Sequence, residues 1–302
     1  MLLDSASMYF RAFYGVPDRF EGLDGTPVNA VRGFIDAIAG LLNEFRPDEL
    51  VACWDNDWRP EFRVQLLPSY KAQRVADPAD PATEEIPDRL SVQEPVMVAV
   101  LAALGFARLG VDGFEADDVI AALTHRSEGP VEIVTGDRDM FQLVDDDRAH
   151  RVIYTAKGMR NLQLVDDSWL HSKYSVTGRQ YADMAILRGD ASDGLPGVPG
   201  IGEKTAASLV TRFGDLHAII EAALDPGSGM AKGVAAKVLA SREYLTAADP
   251  VVRLHHPVPL PDPLIAPIPD EPADPEALLM LAEHYNLESP VNRMLHAMQQ
   301  YA

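Results

Sequence analysis

The chain has 302 residues, 47% of them hydrophobic, enough to bury one large core with a smaller unit appended. The single cysteine excludes an internal disulfide, and the longest apolar run, Val96 to Ala107, falls short of the roughly 18 residues a membrane span needs. The net charge of −20 counts against a nucleic-acid partner, whose phosphates ordinarily call for a basic footprint.

In chain order, residues 1 to about 175 alternate between two patterns. Strands are predicted over Met1 to Leu3, Leu50 to Trp54, Phe106 to Leu109, Val131 to Thr135 and Arg151 to Thr155. Helices are predicted over Val28 to Phe45, Pro87 to Leu104 and Ala116 to Arg126. Such alternation predicts an α/β fold, a mostly parallel sheet flanked by helices. From Thr177 the strand pattern stops. Helices are predicted over Tyr181 to Leu187 and Glu203 to Phe213, joined by the Gly- and Pro-rich stretch Gly194 to Gly202. A Pro-rich linker near 256–275 leads to terminal helices over Glu276 to Tyr285 and Val291 to Gln300. Nothing at Met1-Leu2-Leu3-Asp4 reads as a signal peptide, so a soluble cytoplasmic protein is expected.

Carboxylates recur where these elements end. Asp4, Asp55 and Asp137 fall at or just after predicted strands, and ligands of parallel sheets bind beyond the carboxyl ends of strands. Glu115, Asp117 and Asp118 open a predicted helix, Asp139 stands two residues from Asp137, and Asp190 and Asp193 precede the glycine hairpin. Each group alone reads equally as a helix cap or an ordinary turn. Taken together they would repel one another and stay partly protonated unless cations held them. Hard divalent ions with oxygen ligands answer that need, and two such ions form a common apparatus for phosphodiester hydrolysis.

The negative total hides a local reversal of sign. Arg59, Arg63, Lys71 and Arg74 face only Glu61, and with Tyr70 they combine cations and an aromatic ring suited to phosphate and an unpaired base. The segment is equally compatible with a solvated helix face. Val75 to Pro87, acidic and without periodicity, points to a mobile stretch. Gly200-Ile201-Gly202-Glu203-Lys204-Thr205 lacks the contiguous Gly-Lys-Ser/Thr of a phosphate loop and follows a helix. A helix-hairpin-helix fits better, its glycines admitting a DNA backbone to the N–H groups that open the second helix.

These motifs resemble the 5′-nuclease family, that is, flap endonucleases, stand-alone 5′-3′ exonucleases and the N-terminal nuclease domain of bacterial DNA polymerase I. The resemblance runs from Leu2-Leu3-Asp4 and Tyr9-Phe10-Arg11-Ala12-Phe13-Tyr14, through Tyr70-Lys71-Ala72-Gln73-Arg74 and Gly113-Phe114-Glu115-Ala116-Asp117-Asp118, to Thr135-Gly136-Asp137-Arg138-Asp139. It continues through Gly189-Asp190-Ala191-Ser192-Asp193 to Gly197-Val198-Pro199-Gly200-Ile201-Gly202-Glu203-Lys204-Thr205-Ala206, and so covers essentially the whole chain.

The resemblance implies a PIN-like core over 1–175 with an arch near 59–88, and a helical region over 176–302 with an H3TH hairpin near 181–213. It implies Mg²⁺ or Mn²⁺, two or more ions, with Asp4, Asp55, Glu115, Asp117 and Asp118 at one position and Asp137, Asp139, Asp190 and Asp193 at the other. Lys71 and Arg74 would be arch cations acting on the scissile phosphate. Arg59, Arg63, Tyr70, Gly197, Gly200, Gly202, Lys204 and Thr205 would contact DNA, and the family's hairpin often holds K⁺ on backbone carbonyls. The implied activity is cleavage of DNA with 5′ ends or flaps, RNA-primed ends included, by a monomer near the bacterial nucleoid. A DNA-structure-binding protein without catalysis and a PIN-type ribonuclease are the alternatives. Ser5 departs from the family's usual Gly after the first Asp, which bears on the space beside the first metal.

Overall fold

The computed structural model describes residues 1–77 and 79–301. The first unit runs β1 (Leu2–Asp4), α1 (Ser5–Gly15), α2 (Asn29–Phe45), β2 (Val51–Cys53), α3 (Glu61–Leu66), β3 (Val75–Asp77), β4 (Asp80–Glu84), α4 (Asp88–Ser91), α5 (Glu94–Leu104) and β5 (Ala107–Leu109). It continues with α6 (Ala116–Arg126), β6 (Val131–Thr135), β7 (His150–Tyr154), β8 (Gln163–Val165) and α7 (Asp167–Tyr174). The helical part follows as α8 (Gly178–Arg188), α9 (Glu203–Phe213), α10 (Leu216–Leu224), α11 (Lys232–Ala240), α12 (Arg242–Val252), α13 (Pro275–His284) and α14 (Glu288–Met298). Among the described residues, no helix is long and apolar enough to cross a membrane.

The main sheet has the order β5-β2-β1-β6-β7-β8, parallel except for the last pair. Because strand side chains alternate between faces, Leu2, Val51, Cys53 and Ile133 enter one apolar core while Leu3, Ala52 and Val134 enter the other. The first core packs against α6 and the helices from α8 to α12, and the second against α1, α2, α5, α13 and α14. With β1 central, the chain passes to β2 on one side and to β6 on the other, so the order reverses at β1. A crevice opens at such a point beyond the carboxyl ends. That is where Asp4, Asp55 and Asp137 emerge.

The helices α1, α3, α7 and α10 to α12 and the strand β8 lie outside the predicted elements, and two predicted segments come out differently. Val75 to Pro87, expected to be irregular, contains the β3–β4 ladder, in which Val75 pairs with Glu84 and Asp77 with Asp80. Backbone pairing does not need the apolar alternation that reveals a buried strand. The predicted helix from Pro87 is broken into α4 and α5, and the Gln93 side chain at the break accepts from the Ala30 and Val31 N–H groups of α2.

Candidate active site

Asp4 ends β1 and caps α1, accepting from the Ser7 N–H at 3.0 Å and from the Thr135 hydroxyl at 2.6 Å. Asp55 follows β2 and accepts from the Ala116 N–H at 2.8 Å, which ties this strand end to the start of α6. Asp137 follows β6, its N–H donating to the Thr135 hydroxyl at 2.8 Å while its carboxylate accepts from the Asp139 N–H at 3.0 Å. Asp4, Asp55, Glu115, Asp117, Asp137 and Asp190 line one open cleft of 960 Å³, with Lys71 and Arg74 also on its wall. Asp139 and Asp193 stand just behind, close enough to the charges of Asp137 and Asp190 to be raised by them or by each other.

Burial pushes Asp4 up to about 7, with the charges of Asp55 and Asp137 adding to it and the Thr135 and Ser7 bonds opposing it. Burial likewise raises Asp193 to about 6, and it raises Asp117 and Asp139 well above the carboxylate range, reinforced by neighbouring acids. Asp190 is the exception. Burial pushes it up, but the Ser192 hydroxyl and N–H, with Arg138 and Arg188, outweigh that and hold it below its ordinary value.

The donor set fits divalent ions: carboxylate oxygens in excess of local cations, four of the carboxyl groups with their pKa raised by burial and by the charge of neighbouring acids. Among the described residues no three His, Cys, Asp or Glu side chains close into a finished cage. An open ring of acids is what ions that keep several waters require.

Between the unfolded carboxylate value and about 7, folded Asp4 holds a proton that the unfolded chain has lost, so its contribution to stability falls as pH rises through that window and is flat above it. His125, His150 and His256, all lowered by burial, act in the opposite sense, so the comparison must isolate Asp4. In EDTA, Asp4→Asn is expected to melt above wild type at pH 7.5, with the gap shrinking at pH 5.5. A gap independent of pH would remove the assignment.

Several expected roles change. Asp118 does not reach the cleft: its two oxygens accept from Arg63 at 2.7 and 2.6 Å, and Oδ2 also caps the Glu115 N–H. Arg63 is 1% exposed and also donates to the Val251 carbonyl at 3.0 Å, so it is a bolt between α3, α6 and α12 rather than a DNA contact. Tyr70 is buried too, its hydroxyl donating to Glu115 at 2.9 Å, and no base can stack on it. Arg59 bonds the Tyr70 and Pro68 carbonyls, which folds the arch base onto itself. Gly197 is buried, and an added Cβ would collide with the Arg188 carbonyl, so the residue serves close backbone packing and does not meet DNA.

Lys71 and Arg74 do arrive at the acids. Lys71 Nζ lies 3.0 Å from Glu115 Oε1, and Arg74 Nη2 lies 2.9 Å from Asp193 Oδ1. Burial alone would lower the Lys71 ammonium, but Glu115 and its acidic neighbours overcome this and keep it firmly protonated. The arch base is latched to the Asp190 loop by the Lys71 N–H on the Asp193 carbonyl at 3.0 Å and the Ser69 hydroxyl on the Gly194 carbonyl at 2.8 Å.

At the hairpin, Gly200, Gly202 and Lys204 are exposed and Thr205 half-buried at the start of α9. The Lys237 ammonium donates to the Gly200 carbonyl at 3.0 Å. Gly200 has φ +74°, a left-handed conformation that favours glycine. Sequence reasoning missed Tyr9, Asn56, Glu84 and Glu94, which also line the cleft. Tyr9 carried a signal in its spacing after Asp4, whereas Glu84 and Glu94 reach the site only through the β3–β4 ladder and the α4–α5 break.

The family model for the 5′-3′ exonuclease N-terminal resolvase-like domain matches residues 1–175, and that for the 5′-3′ exonuclease C-terminal SAM fold matches 176–272. A 5′-3′ exonuclease of Streptomyces coelicolor is 56% identical over 297 residues, 98% of this chain and 98% of that protein. One of Mycobacterium tuberculosis is 47% identical over 309 residues, 99% and 97% of the two chains. DNA polymerase I of M. tuberculosis is 42% identical over 225 residues, 73% of this chain but 24% of the polymerase. Among solved structures, T5 5′-exonuclease with bound zinc aligns with a TM-score of 0.64 at 18% identity, covering 99% of this chain and 98% of its own. Flap endonuclease-1 from Methanococcus jannaschii aligns at 0.60 and 15%, covering 100% and 93%. Those two likenesses establish the shared fold, and the family models with the near-full-length relatives establish the lineage: the chain belongs to the 5′-3′ exonuclease family.

Proposed function

We propose that this protein is a divalent-metal-dependent 5′ nuclease that hydrolyses DNA at 5′ ends and at the base of 5′ flaps. The observation that carries the reading is the gathering of six of the expected metal-binding carboxylates in one open cleft whose wall also holds Lys71 and Arg74. Relatives named 5′-3′ exonuclease across nearly the whole chain support it. So does the fold shared with a T5 flap endonuclease solved with DNA and metal ions.

In this reading Asp4, Asp55, Glu115 and Asp117 would hold one Mg²⁺ or Mn²⁺, and Asp137, Asp139, Asp190 and Asp193 would hold another. When bound, such ions supply positive charge against the developing phosphorane and acidify the attacking water. Lys71 and Arg74, paired with Glu115 and Asp193 on the cleft wall, would offset the growing charge of a scissile phosphate bound there. Residues 1–175 do the chemistry and 176–302 grip the duplex. The α9 N-terminus, with Lys204 and Thr205, receives a backbone phosphate, a contact that fixes position without reading sequence. Lys237 already takes the Gly200 carbonyl, so a K⁺ at the hairpin would use the remaining carbonyls. A monomeric, cytoplasmic, nucleoid-associated enzyme removing flaps or RNA-primed ends completes the proposal.

The test is a panel of labelled 5′-flap, nicked, gapped and RNA-primed substrates with Mg²⁺, Mn²⁺ or EDTA. Cleavage from the 5′ side that EDTA abolishes is the expected result, and cleavage unaffected by EDTA would overturn the metal reading. Lys71→Ala is expected to slow single-turnover cleavage about a hundred-fold, the range seen when one transition-state donor is lost. Its Kd for flap DNA should change far less. An unchanged rate would make Lys71 a partner of Glu115 only.

A further inference from the structure

We propose that Arg188 is a positioning residue that couples occupancy of the carboxylate cleft to the grip of the glycine hairpin on duplex DNA. The inference rests on the metal reading above and goes beyond it, because Arg188 belongs to neither ligand set and to no predicted DNA contact. It is the last residue of α8, with Nε donating to the Gly189 carbonyl at 3.1 Å. Nη1 and Nη2 are fully covered and form no hydrogen bond to a carboxylate, with the Tyr181 hydroxyl as their near neutral neighbour. Two carboxylates flank them at charge-pair distance, Glu203 Oε2 at 3.5 Å from Nη1 and Asp190 Oδ2 at 3.7 Å from Nη2. Both separations exceed the roughly 2.7–2.9 Å of a charge-assisted hydrogen bond. A buried guanidinium left this way is costly, and a small movement toward either side would relieve it.

The two carboxylates sit at the two functions. Asp190 lines the cleft, and Glu203 is the first residue of α9, directly after Gly200-Ile201-Gly202. Without metal, Arg188 is pulled both ways. Asp190 has other partners besides Arg188, since Arg138 Nη2 lies 3.5 Å from the same Oδ2 and the Ser192 N–H bonds Oδ1 at 2.9 Å. Once the charge of Asp190 is taken up by a divalent ion, Arg188 loses its attraction on that side and closes on Glu203. That contact fixes the first turn of α9, the turn that receives a backbone phosphate in the proposed function. Linkage is reciprocal, so duplex bound at the hairpin must tighten ion binding at the cleft by the same factor.

The experiment measures the Kd of a nicked 5′-flap duplex with and without saturating Ca²⁺, substrate integrity being checked on a gel. The Kd for Ca²⁺ is measured with and without the duplex. Wild type, Glu203→Gln, Arg188→Gln and the double variant are compared. Glu203 is half-exposed, so its variant keeps the fold, and matching melting temperatures confirm this for the others. Wild type is expected to show coupling of about ten-fold, within the usual allosteric range. Each single variant should lose at least about three-fold of that factor, and the double variant should lose no more than either single one. Loss of a carboxylate near DNA tightens binding equally with and without Ca²⁺, so it leaves the coupling factor untouched. Equal coupling in wild type and Glu203→Gln, or additive losses in the double variant, would overturn the proposal alone. Failure of wild type to bind Ca²⁺ would overturn the metal reading with it.

Discussion

Asp117→Asn is expected to lower the single-turnover rate of 5′-flap cleavage about a thousand-fold or more, the equivalent of losing roughly 4 kcal/mol of transition-state stabilisation. Asp117 lines the cleft, and its carboxyl is raised first by burial and then by the charges of Asp4 and Asp137. Those three acids therefore share one electrostatic problem, and removing one charge weakens the hold on any ion placed among them. The same substitution relieves repulsion in the metal-free protein. Asp117→Asn should accordingly melt higher than wild type in EDTA, lose much of the stabilisation that Mg²⁺ gives wild type, and still bind flap DNA. That combination separates loss of a ligand from loss of the fold. Near wild-type turnover would remove Asp117 from the ion site.

The second large effect is on stability. Arg63→Met leaves Asp118 charged, buried and without its bidentate partner, a change that typically costs about 3–5 kcal/mol. The guanidinium also sits 4.9 Å from the Phe62 ring centroid and bonds Val251 in α12, so its loss loosens the junction between the sheet unit and the helices after it. A steep drop in Tm is expected from Arg63→Met and from Asp118→Asn. The double variant Arg63→Met with Asp118→Leu should recover much of it, because two apolar groups of similar volume replace a buried ion pair at little cost. A DNA-contact role for Arg63 predicts the opposite pattern, weaker DNA binding at unchanged Tm.

Arg63 and Asp118 mark where reading by residue type fails. Both are charged, both stand in motifs rich in functional residues, and along the chain nothing distinguishes Asp118 from Asp117. On α6 they are neighbours pointing to different sides of the helix, one to the cleft and one to Arg63, which arrives from 55 positions away. Tyr70 and Gly197 repeat the lesson: an aromatic beside cations turns inward to Glu115, and a hairpin glycine is needed for contact with the Arg188 carbonyl.

The sequence by itself determined the α/β class, the five parallel strands to within one residue at each end, and the rim on which the acids emerge. Those features are written in local periodicity and in strand-to-helix order, which physical chemistry reads without knowing what packs on what. It also determined that Asp4, Asp55 and Asp137 share an edge, since parallel strands all present their carboxyl ends together. Only the tertiary structure decided which acids of Glu115-Ala116-Asp117-Asp118 face the cleft, and that Arg63 is a bolt. It alone left Arg188 between Asp190 and Glu203 without a hydrogen bond to either. A charged side chain is free to pair with whatever the fold brings within a few ångströms, and that distance is set by packing between elements far apart in the chain.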